Sequence, residues 1–155
     1  MLAMNTVMTQ SIQSADSSAT EMFGERLGRN LRGGEIVELI SDLGGGKTTL
    51  TRGIVRGTGS KDTVASPTFA ISKAYTSPKY DIYHYDFYRL ADAGILQYEL
   101  HDHLNDPGAV VIIEWGDIVQ HVLPDRRMTI KINAGADEAR SITCQYPKGM
   151  EYLLA

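Results

Sequence analysis

Residues 41–49 read Ser-Asp-Leu-Gly-Gly-Gly-Lys-Thr-Thr, and this stretch decides the fold. The β-branched run at residues 35–40 is typical of a buried strand, and the pattern after the glycines predicts a helix over residues 47–56. A glycine-rich turn between a strand and a helix directs backbone N–H groups and the positive end of the helix dipole towards an anion. The sequence therefore predicts a phosphate-binding loop of the pattern Gly-x-x-x-x-Gly-Lys-Ser/Thr, in which Ser41 replaces the first glycine.

The side chains at the end of this loop have specific roles in such a site. We expect Lys47 to reach the terminal phosphates of a nucleotide and the Thr48 hydroxyl to bind Mg²⁺. A Gly-Lys-Thr tripeptide alone is a weak signal, and a glycine-rich turn without a ligand is the alternative. Ser41 matters only if its position requires a positive φ, which serine tolerates poorly. The candidate nucleotide-binding residues of the loop are Asp42, Leu43, Gly44, Gly45, Gly46, Lys47, Thr48 and Thr49.

A second buried strand ends in an acidic residue. Residues 109–113 form the longest apolar run, Ala-Val-Val-Ile-Ile, and Glu114 follows it directly. Ligands bind at the carboxyl edge of open α/β sheets, where a P-loop site needs a carboxylate to hold Mg²⁺ directly or through water. Glu114 and Thr48 are therefore the candidate metal ligands, and an exposed acid at a strand end is the alternative for Glu114. Trp115, the only tryptophan, either stacks near the nucleotide or covers the core.

Two further segments contain polar residues suited to catalysis. Strand alternation places His84, Asp86 and Tyr88 on one face, where an acid and a histidine suit water orientation or metal support. In the proline-stiffened loop at residues 66–69, Ser-Pro-Thr-Phe, the Thr68 hydroxyl is a candidate sensor of the γ-phosphate. Taken alone, each segment is more typical of a solvated strand face or a simple turn. The candidate catalytic residues are Asp86, Lys47 and Thr68.

The remaining pattern predicts an α/β fold with a mixed sheet. Strands at residues 72–75 and 80–86 flank a turn that contains proline, and such a hairpin excludes a purely parallel sheet. Further elements are expected as a helix from about Ser17, a helix over 91–104, a short helix over 117–122, and a closing antiparallel pair at 127–133 and 141–146. We therefore expect a single P-loop NTPase domain with a mixed parallel and antiparallel sheet flanked by helices.

Length and composition are those of a small globular protein. With 155 residues we expect a flexible N-terminal tail at residues 1–14 and one folded domain at residues 15–155. The single cysteine, Cys144, fits a reducing compartment and is expected to be buried and inert. The apolar runs are too short to span a membrane, so we expect a cytoplasmic protein without membrane association. A net charge of −4 argues against unaided binding of nucleic acid.

In their order along the chain, these segments resemble one family. After the glycine-rich loop come Ser66-Pro-Thr-Phe69, His84-Tyr-Asp-Phe-Tyr-Arg-Leu90, Ile113-Glu-Trp115 and Leu123-Pro124. Over about residues 17–146 the chain resembles the TsaE family, the small ATPases of bacterial tRNA threonylcarbamoyladenosine synthesis. The ordered set of motifs is far more specific than any one of them.

The resemblance implies ligands, partners and residue roles. It implies ATP and Mg²⁺ as ligands, and weak hydrolysis stimulated by a complex of the proteins TsaD and TsaB, through which tRNA is reached only indirectly. It also implies that Trp115 lies by the nucleotide, that Thr48 and Glu114 support Mg²⁺, and that Asp86 is the catalytic acid or base.

The loop departs from the family pattern at two positions. Ser41 stands where the first glycine is usual, and Gly45 stands where alanine is commoner. Both residues are small, so the departures bear on affinity rather than on nucleotide binding itself.

Two classes of function stay open at this point. One is an ATPase whose turnover resets a partner enzyme, and the other is a non-hydrolysing module that docks on its partner only with ATP bound. A small-molecule kinase would need a lid and an acceptor pocket, and a GTPase would need an Asn-Lys-x-Asp segment, which the chain lacks. Arg52, Arg56 and Arg89 are available but none is an evident arginine finger, so slow intrinsic turnover is expected.

Overall fold

The computed structural model of the chain describes residues 6–42, 44–65, 71–88 and 90–155. Seven strands form one sheet in the order β1-β7-β6-β2-β5-β4-β3. The strands are β1 (Val7–Ser14), β2 (Ile36–Ile40), β3 (Ser72–Thr76), β4 (Asp81–Asp86), β5 (Ala109–Glu114), β6 (Met128–Ala134) and β7 (Arg140–Pro147). The α-helices are α1 (Ser17–Asn30), α2 (Lys47–Gly57) and α3 (Leu96–Leu104), and 3₁₀ helices span Gly116–Val122 and Glu151–Leu154.

The sheet is parallel in its centre and antiparallel at its edges. Strand β2 pairs in parallel with β5 and β6, and β5 also pairs in parallel with β4. The antiparallel pairs are β3–β4, β6–β7 and β1–β7. The predicted mixed sheet is confirmed. Because β2, β4, β5 and β6 run in the same direction, their carboxyl ends meet at one edge of the sheet.

Burial on both faces explains why the central strands read as apolar runs. Every residue of β5 is buried, as expected for a strand with helices on both sides. One face of the sheet packs against α1 and α2. The other packs against α3 and the 3₁₀ helix Gly116–Val122.

Helices α1 and α2 approach each other so closely that no side chain fits between them at four positions. The four positions are occupied by glycines, namely Gly24, Gly28, Gly53 and Gly57. A β-carbon at any of them would overlap a backbone carbonyl oxygen of the opposite helix. In each helix the two glycines are four residues apart, which places them on the same face one turn apart. The helices therefore contact each other backbone to backbone, and α2 is held directly by α1.

The expectation of a flexible tail at residues 1–14 is wrong for residues 7–14. These residues form the edge strand β1, whose eight residues pair antiparallel with β7. Met8 and Ile12 are partly buried against the core, whereas the residues between them are largely exposed. The apolar signal is weak because an edge strand with one solvated face needs few apolar residues.

Two smaller expectations are corrected and one is confirmed. The helix predicted from residue 91 begins at Leu96, because Gly94 has a φ of 55° and Asp92 Oδ1 accepts a hydrogen bond from its N–H. Strand β4 begins at Asp81, one residue later than predicted. Cys144 is fully buried in β7, which confirms the expected burial, and burial raises the pKa of its thiol to about 11. In the described ranges, no helix has both the length and the apolar composition needed to cross a membrane.

The two faces of β1 provide a test of its contribution. Ile12→Ala should lower the free energy of unfolding by about 1–2 kcal/mol, because a partly buried apolar side chain is removed. Ser11→Ala, on the exposed face of the same strand, should change it by less than about 0.5 kcal/mol. Urea unfolding of both variants checks this. Equal and negligible effects would contradict a stabilising role of β1.

Candidate functional site

The loop between β2 and α2 has the backbone shape that the glycines predict. Gly44 and Gly46 have φ values of 74° and 107°, in the left-handed region that favours glycine. The Gly45 N–H donates to the Asp42 carbonyl oxygen at 3.0 Å and closes a tight turn. Helix α2 begins after Gly46 without a side-chain cap, so its first N–H groups have no partner within the helix. This uncapped N-terminus suits an anion.

Lys47 lies inside this loop rather than in solvent. Its side chain is only 8% exposed, and Nζ donates to the carbonyl oxygens of Ser41 and Asp42 at 3.1 Å each. The ammonium also lies 4.8 Å from the centroid of the Trp115 ring. A phosphate oxygen would be a stronger acceptor than these neutral carbonyls. The lysine is thus positioned at the predicted phosphate site.

Ser41 and Gly45, the two departures in the loop, lie against each other. Among the described residues, only Trp115 and Asp137 have a positive φ without being glycine, so Ser41 imposes no such strain. A β-carbon added at Gly45 would overlap the Ser41 hydroxyl oxygen, which itself donates to the Asp42 carbonyl at 2.8 Å. The serine side chain therefore fills the space that an alanine at position 45 would need.

The strand ends next to the loop bring two acids together. Asp86, the last residue of β4, and Glu114, the last residue of β5, are direct partners in the strand register. Glu114 is 3% exposed, and its Oε2 accepts a hydrogen bond of 2.6 Å from Nε2 of His84, which is 1% exposed. His84 Nδ1 is buried without a hydrogen-bond partner among the described residues. A nearly buried histidine thus orients the candidate metal ligand.

Asp86 is less buried than Glu114 and is electrostatically disfavoured as an anion. Burial raises the pKa of its carboxyl above the ordinary value of 3.8, and the Glu114 carboxylate acts in the same direction. A hydrogen bond of 3.0 Å from the Tyr88 N–H to Oδ1, together with the charges of His84 and Lys47, lowers that pKa in part. A cation between the two carboxylates would relieve their repulsion.

Trp115 has an unusual backbone conformation at the edge of the site. Its φ of 55° and ψ of 47° lie in the left-handed region, which costs a bulky residue of order 1–3 kcal/mol. The indole is partly buried, packs on the core formed with α3, and lies 4.8 Å from the ring of Tyr88. The indole also lies 4.8 Å from the Lys47 ammonium. Trp115 therefore both covers the core and lies beside the candidate site.

A cavity of about 340 Å³ opens beside the loop. Ser41, Asp42 and Trp115 form part of its wall, and Lys131 and Asn133 of β6 form another part. Its volume lies at the lower end of the range for small-molecule sites. The structure therefore leaves room beside the first residues of the loop, Ser41 and Asp42, for part of a ligand.

The predicted site residues fall into two groups. The structure brings Asp42, Gly44, Gly45, Gly46, Lys47, Thr48, Thr49, Asp86, Glu114 and Trp115 to one edge of the sheet. Leu43 and Thr68, with Ser66, Pro67, Phe69 and Arg89, lie outside the described residues. Within the described ranges, no three His, Cys, Asp or Glu side chains are grouped as a metal centre.

One residue of the site was not predicted from the sequence. Arg140, the first residue of β7, donates from Nε to the Gly45 carbonyl oxygen at 2.9 Å. No motif marks it, because it contacts a backbone carbonyl and lies far along the chain from the loop. The pairing of β6 with β2 and of β7 with β6 brings it to this edge.

The strand–loop–helix unit, the parallel centre of the sheet and the acid at the end of β5 define an α/β protein of the P-loop NTPase-like class. The crystal structure of YdiB from Bacillus subtilis supports this, with a TM-score of 0.76 and 28% sequence identity over 96% of this chain and 93% of that one.

Sequence comparison identifies the family within this class. The family profile described as threonylcarbamoyl adenosine biosynthesis protein TsaE matches residues 14–142. Three relatives are each named tRNA threonylcarbamoyladenosine biosynthesis protein TsaE. The protein of Haemophilus influenzae is 40% identical over 69% of this chain and 67% of its own length. The relative from Bacillus subtilis is 37% identical over 71% of this chain and 68% of its own length. The relative from Streptomyces coelicolor is 36% identical over 77% of this chain and 85% of its own length. This chain belongs to the TsaE family.

The contact between Ser41 and Gly45 can be tested by a double-mutant cycle. Gly45→Ala should lower the free energy of unfolding by about 1–3 kcal/mol, because the new methyl group overlaps the serine side chain. Adding Ser41→Gly should recover part of that loss, since only the Asp42 carbonyl oxygen, 2.9 Å from the new β-carbon, still crowds it. Ser41→Gly alone is the control, and additive effects of the two changes in urea unfolding would contradict the coupling.

The cost of the Asp86 charge can be tested with Asp86→Asn. The amide oxygen can still accept from the Tyr88 N–H, while a partly buried charge beside Glu114 is removed. We expect the midpoint of thermal unfolding of the ligand-free protein to rise by about 1–3 °C at neutral pH.

The pH dependence of this difference follows from the raised pKa. A carboxyl whose pKa is raised by folding stabilises the fold below its unfolded pKa, and this contribution is lost as the pH rises through the folded pKa. The advantage of the variant should therefore appear at neutral pH and vanish below the ordinary value of 3.8. Calorimetry across this range checks the sign, and a lower midpoint for the variant at neutral pH would refute it.

Proposed function

We propose that this protein binds ATP with Mg²⁺ at the loop 41–49, hydrolyses it slowly, and thereby regulates or resets the TsaD–TsaB complex in threonylcarbamoyl modification of tRNA. The main support is the site itself: an uncapped helix N-terminus and a buried lysine lie beside two carboxylates at adjacent strand ends. Membership of the TsaE family supports the pathway.

The residues at this edge fit a magnesium ion bound together with phosphates. Thr48 and Glu114 would hold it, since hydroxyl and carboxylate oxygens are the donors that Mg²⁺ prefers. The lack of a three-residue metal cluster among the described residues fits an ion that takes most of its ligands from phosphate and water. When bound, the ion supplies charge neutralisation for the β- and γ-phosphates.

The residues of the chain have distinct tasks in this proposal. The N–H groups at the start of α2 and the Lys47 ammonium bind phosphate oxygens and neutralise their charge. Asp86 orients the attacking water and accepts its proton, a task that its raised pKa favours. Arg56 lies in the last turn of α2, at the opposite end of this helix from the loop, and is paired with Glu21 at 2.7 Å, so it is not placed as an arginine finger.

The charge distribution supports a protein partner rather than direct contact with RNA. Residues 90–125 contain several acids but neither Lys nor Arg. Ile95 and Tyr98, at the start of α3 in this segment, are 82% and 67% exposed. Such a surface would repel the phosphates of RNA and suits a protein surface with basic residues around apolar ones.

A non-hydrolysing module that docks on its partner only with ATP bound is the second candidate. The contacts of Lys47 favour this alternative. If ATP drew the ammonium away from the carbonyl oxygens of Ser41 and Asp42, the conformation of the loop near Trp115 would change, and a partner could detect that change. The two functions differ in one measurable product, which is inorganic phosphate.

The test measures ATP binding and phosphate release with TsaD, TsaB and Mg²⁺. Lys47→Ala should weaken ATP binding at least about tenfold, because a charge-assisted hydrogen bond to phosphate is worth about 1.5–3 kcal/mol. Asp86→Ala should bind ATP with nearly the parent affinity and release phosphate much more slowly. Titration calorimetry gives the first result and a phosphate-release assay the second.

Lys79→Ala is the matched control, since Lys79 lies in the β3–β4 turn, at the opposite end of β4 from Asp86. Parent-like ATP affinity of Lys47→Ala, or loss of ATP binding in Asp86→Ala, would contradict the assigned roles. Phosphate release no higher than background for the wild type with its partners, together with ATP-dependent capture of TsaD and TsaB, would establish the second candidate.

A further inference from the structure

Arg140 connects the phosphate loop to a distant hairpin. Its Nε donates to the Gly45 carbonyl oxygen at 2.9 Å. Its Nη1 donates to the carbonyl oxygens of Ala139 and Asp137 at 2.7 and 3.0 Å. The guanidinium is thus anchored in the turn between β6 and β7 and binds the loop from outside.

This contact acts on one peptide unit of the loop. The Gly45 carbonyl and the Gly46 N–H belong to the same peptide plane, and in a trans peptide they point in opposite directions. Arg140 therefore holds the carbonyl on its own side and turns the Gly46 N–H to the other side. That N–H donates to none of the described residues, and Gly46 directly precedes α2. The orientation leaves one more donor available beside the uncapped N-terminus of α2.

Two other features of the loop make this orientation depend on Arg140. Gly46 has a φ of 107°, and a glycine has few steric constraints of its own, so its preceding peptide can rotate unless it is held. On the other side of Gly45, the N–H is tied to Asp42 at 3.0 Å. Among the described residues, only Arg140 donates a hydrogen bond to the Gly45 carbonyl oxygen.

We propose that Arg140 is a positioning residue for nucleotide binding, which keeps the Gly45–Gly46 peptide in the orientation that presents the Gly46 N–H to the phosphates. This inference rests on the proposed function, because it requires ATP at the loop. The geometry distinguishes the role from that of Lys47: Arg140 binds the backbone and acts on the nucleotide through it.

Arginine variants test the proposal. In Arg140→Ala the Kd and KM for ATP should rise about tenfold, the usual effect of losing one charge-assisted hydrogen bond. The kcat at saturating ATP should stay within about twofold, because bound phosphate then holds the loop itself. Arg140→Lys keeps the positive charge, but a single ammonium cannot replace a guanidinium that binds the Gly45 carbonyl through Nε and the hairpin carbonyls through Nη1. The Kd for ATP should therefore rise about threefold.

Hydrogen exchange provides a readout that does not depend on activity. In ligand-free Arg140→Ala the amides of residues 44–47 should exchange faster, while those of β2 and β5 stay as protected as in the wild type. Arg29→Ala is the matched control, because Arg29 is an exposed arginine in the last turn of α1, which leads to the amino end of β2. It should leave both measurements unchanged.

The outcomes separate this inference from the proposed function. A wild type that binds no ATP would refute the proposed function. A wild type that binds ATP, with Arg140→Ala binding it equally well, would refute only the role of Arg140. Parent-like affinity of Arg140→Lys beside weakened Arg140→Ala would show that charge alone matters and would also overturn the positioning role. If the amides of Arg140→Ala lose protection from exchange throughout the core, Arg140→Lys replaces it in the test. Its ATP affinity and the exchange of its amides at residues 44–47 then decide whether Arg140 is a positioning residue.

Discussion

The parallel pairing of β5 with both β2 and β4 is the constraint on which the site depends. Parallel neighbours share a direction, so the segments that follow β2, β4 and β5 emerge at one edge. The loop between β2 and α2, Asp86 and Glu114 become neighbours for this reason alone, although long stretches of chain separate them. Burial of both faces of β5, whose first five residues are all apolar, stabilises this pairing.

The loop is held in shape by contacts that involve mainly its own backbone. Lys47 binds two carbonyl oxygens of the loop, Ser41 fills the space beside Gly45, and Arg140 binds the Gly45 carbonyl. Glycine-rich segments lose more entropy on ordering than others, so the contacts of Ser41 and Arg140, which do not involve Lys47, lower the cost that a ligand would otherwise meet. The two departures from the family pattern are explained together, since the serine at one position requires the glycine at the other.

The parts of the molecule that were predictable have local signals. The loop, the apolar run of β5 and the acid after it each follow from adjacent residues, and the mixed sheet follows from the β3–β4 hairpin. Strand β1 was missed because its solvated face leaves too few apolar residues for a recognisable pattern. The bond between His84 and Glu114 depends on the register of β4 and β5, and the contact of Arg140 depends on the position of a hairpin. Neither is encoded by spacing along the chain.

The four glycines between α1 and α2 have a mechanical consequence. Side chains that separate two helices can change rotamer and let one helix slide, whereas a backbone-to-backbone contact has no such freedom. A movement of α2 towards α1 would therefore bring the two backbones into collision, and we expect α1 to move together with α2. A displacement of α2 would then also act on α1 and, through the hydrogen bonds from Asn30, on the carbonyl oxygens of Leu153 and Ala155.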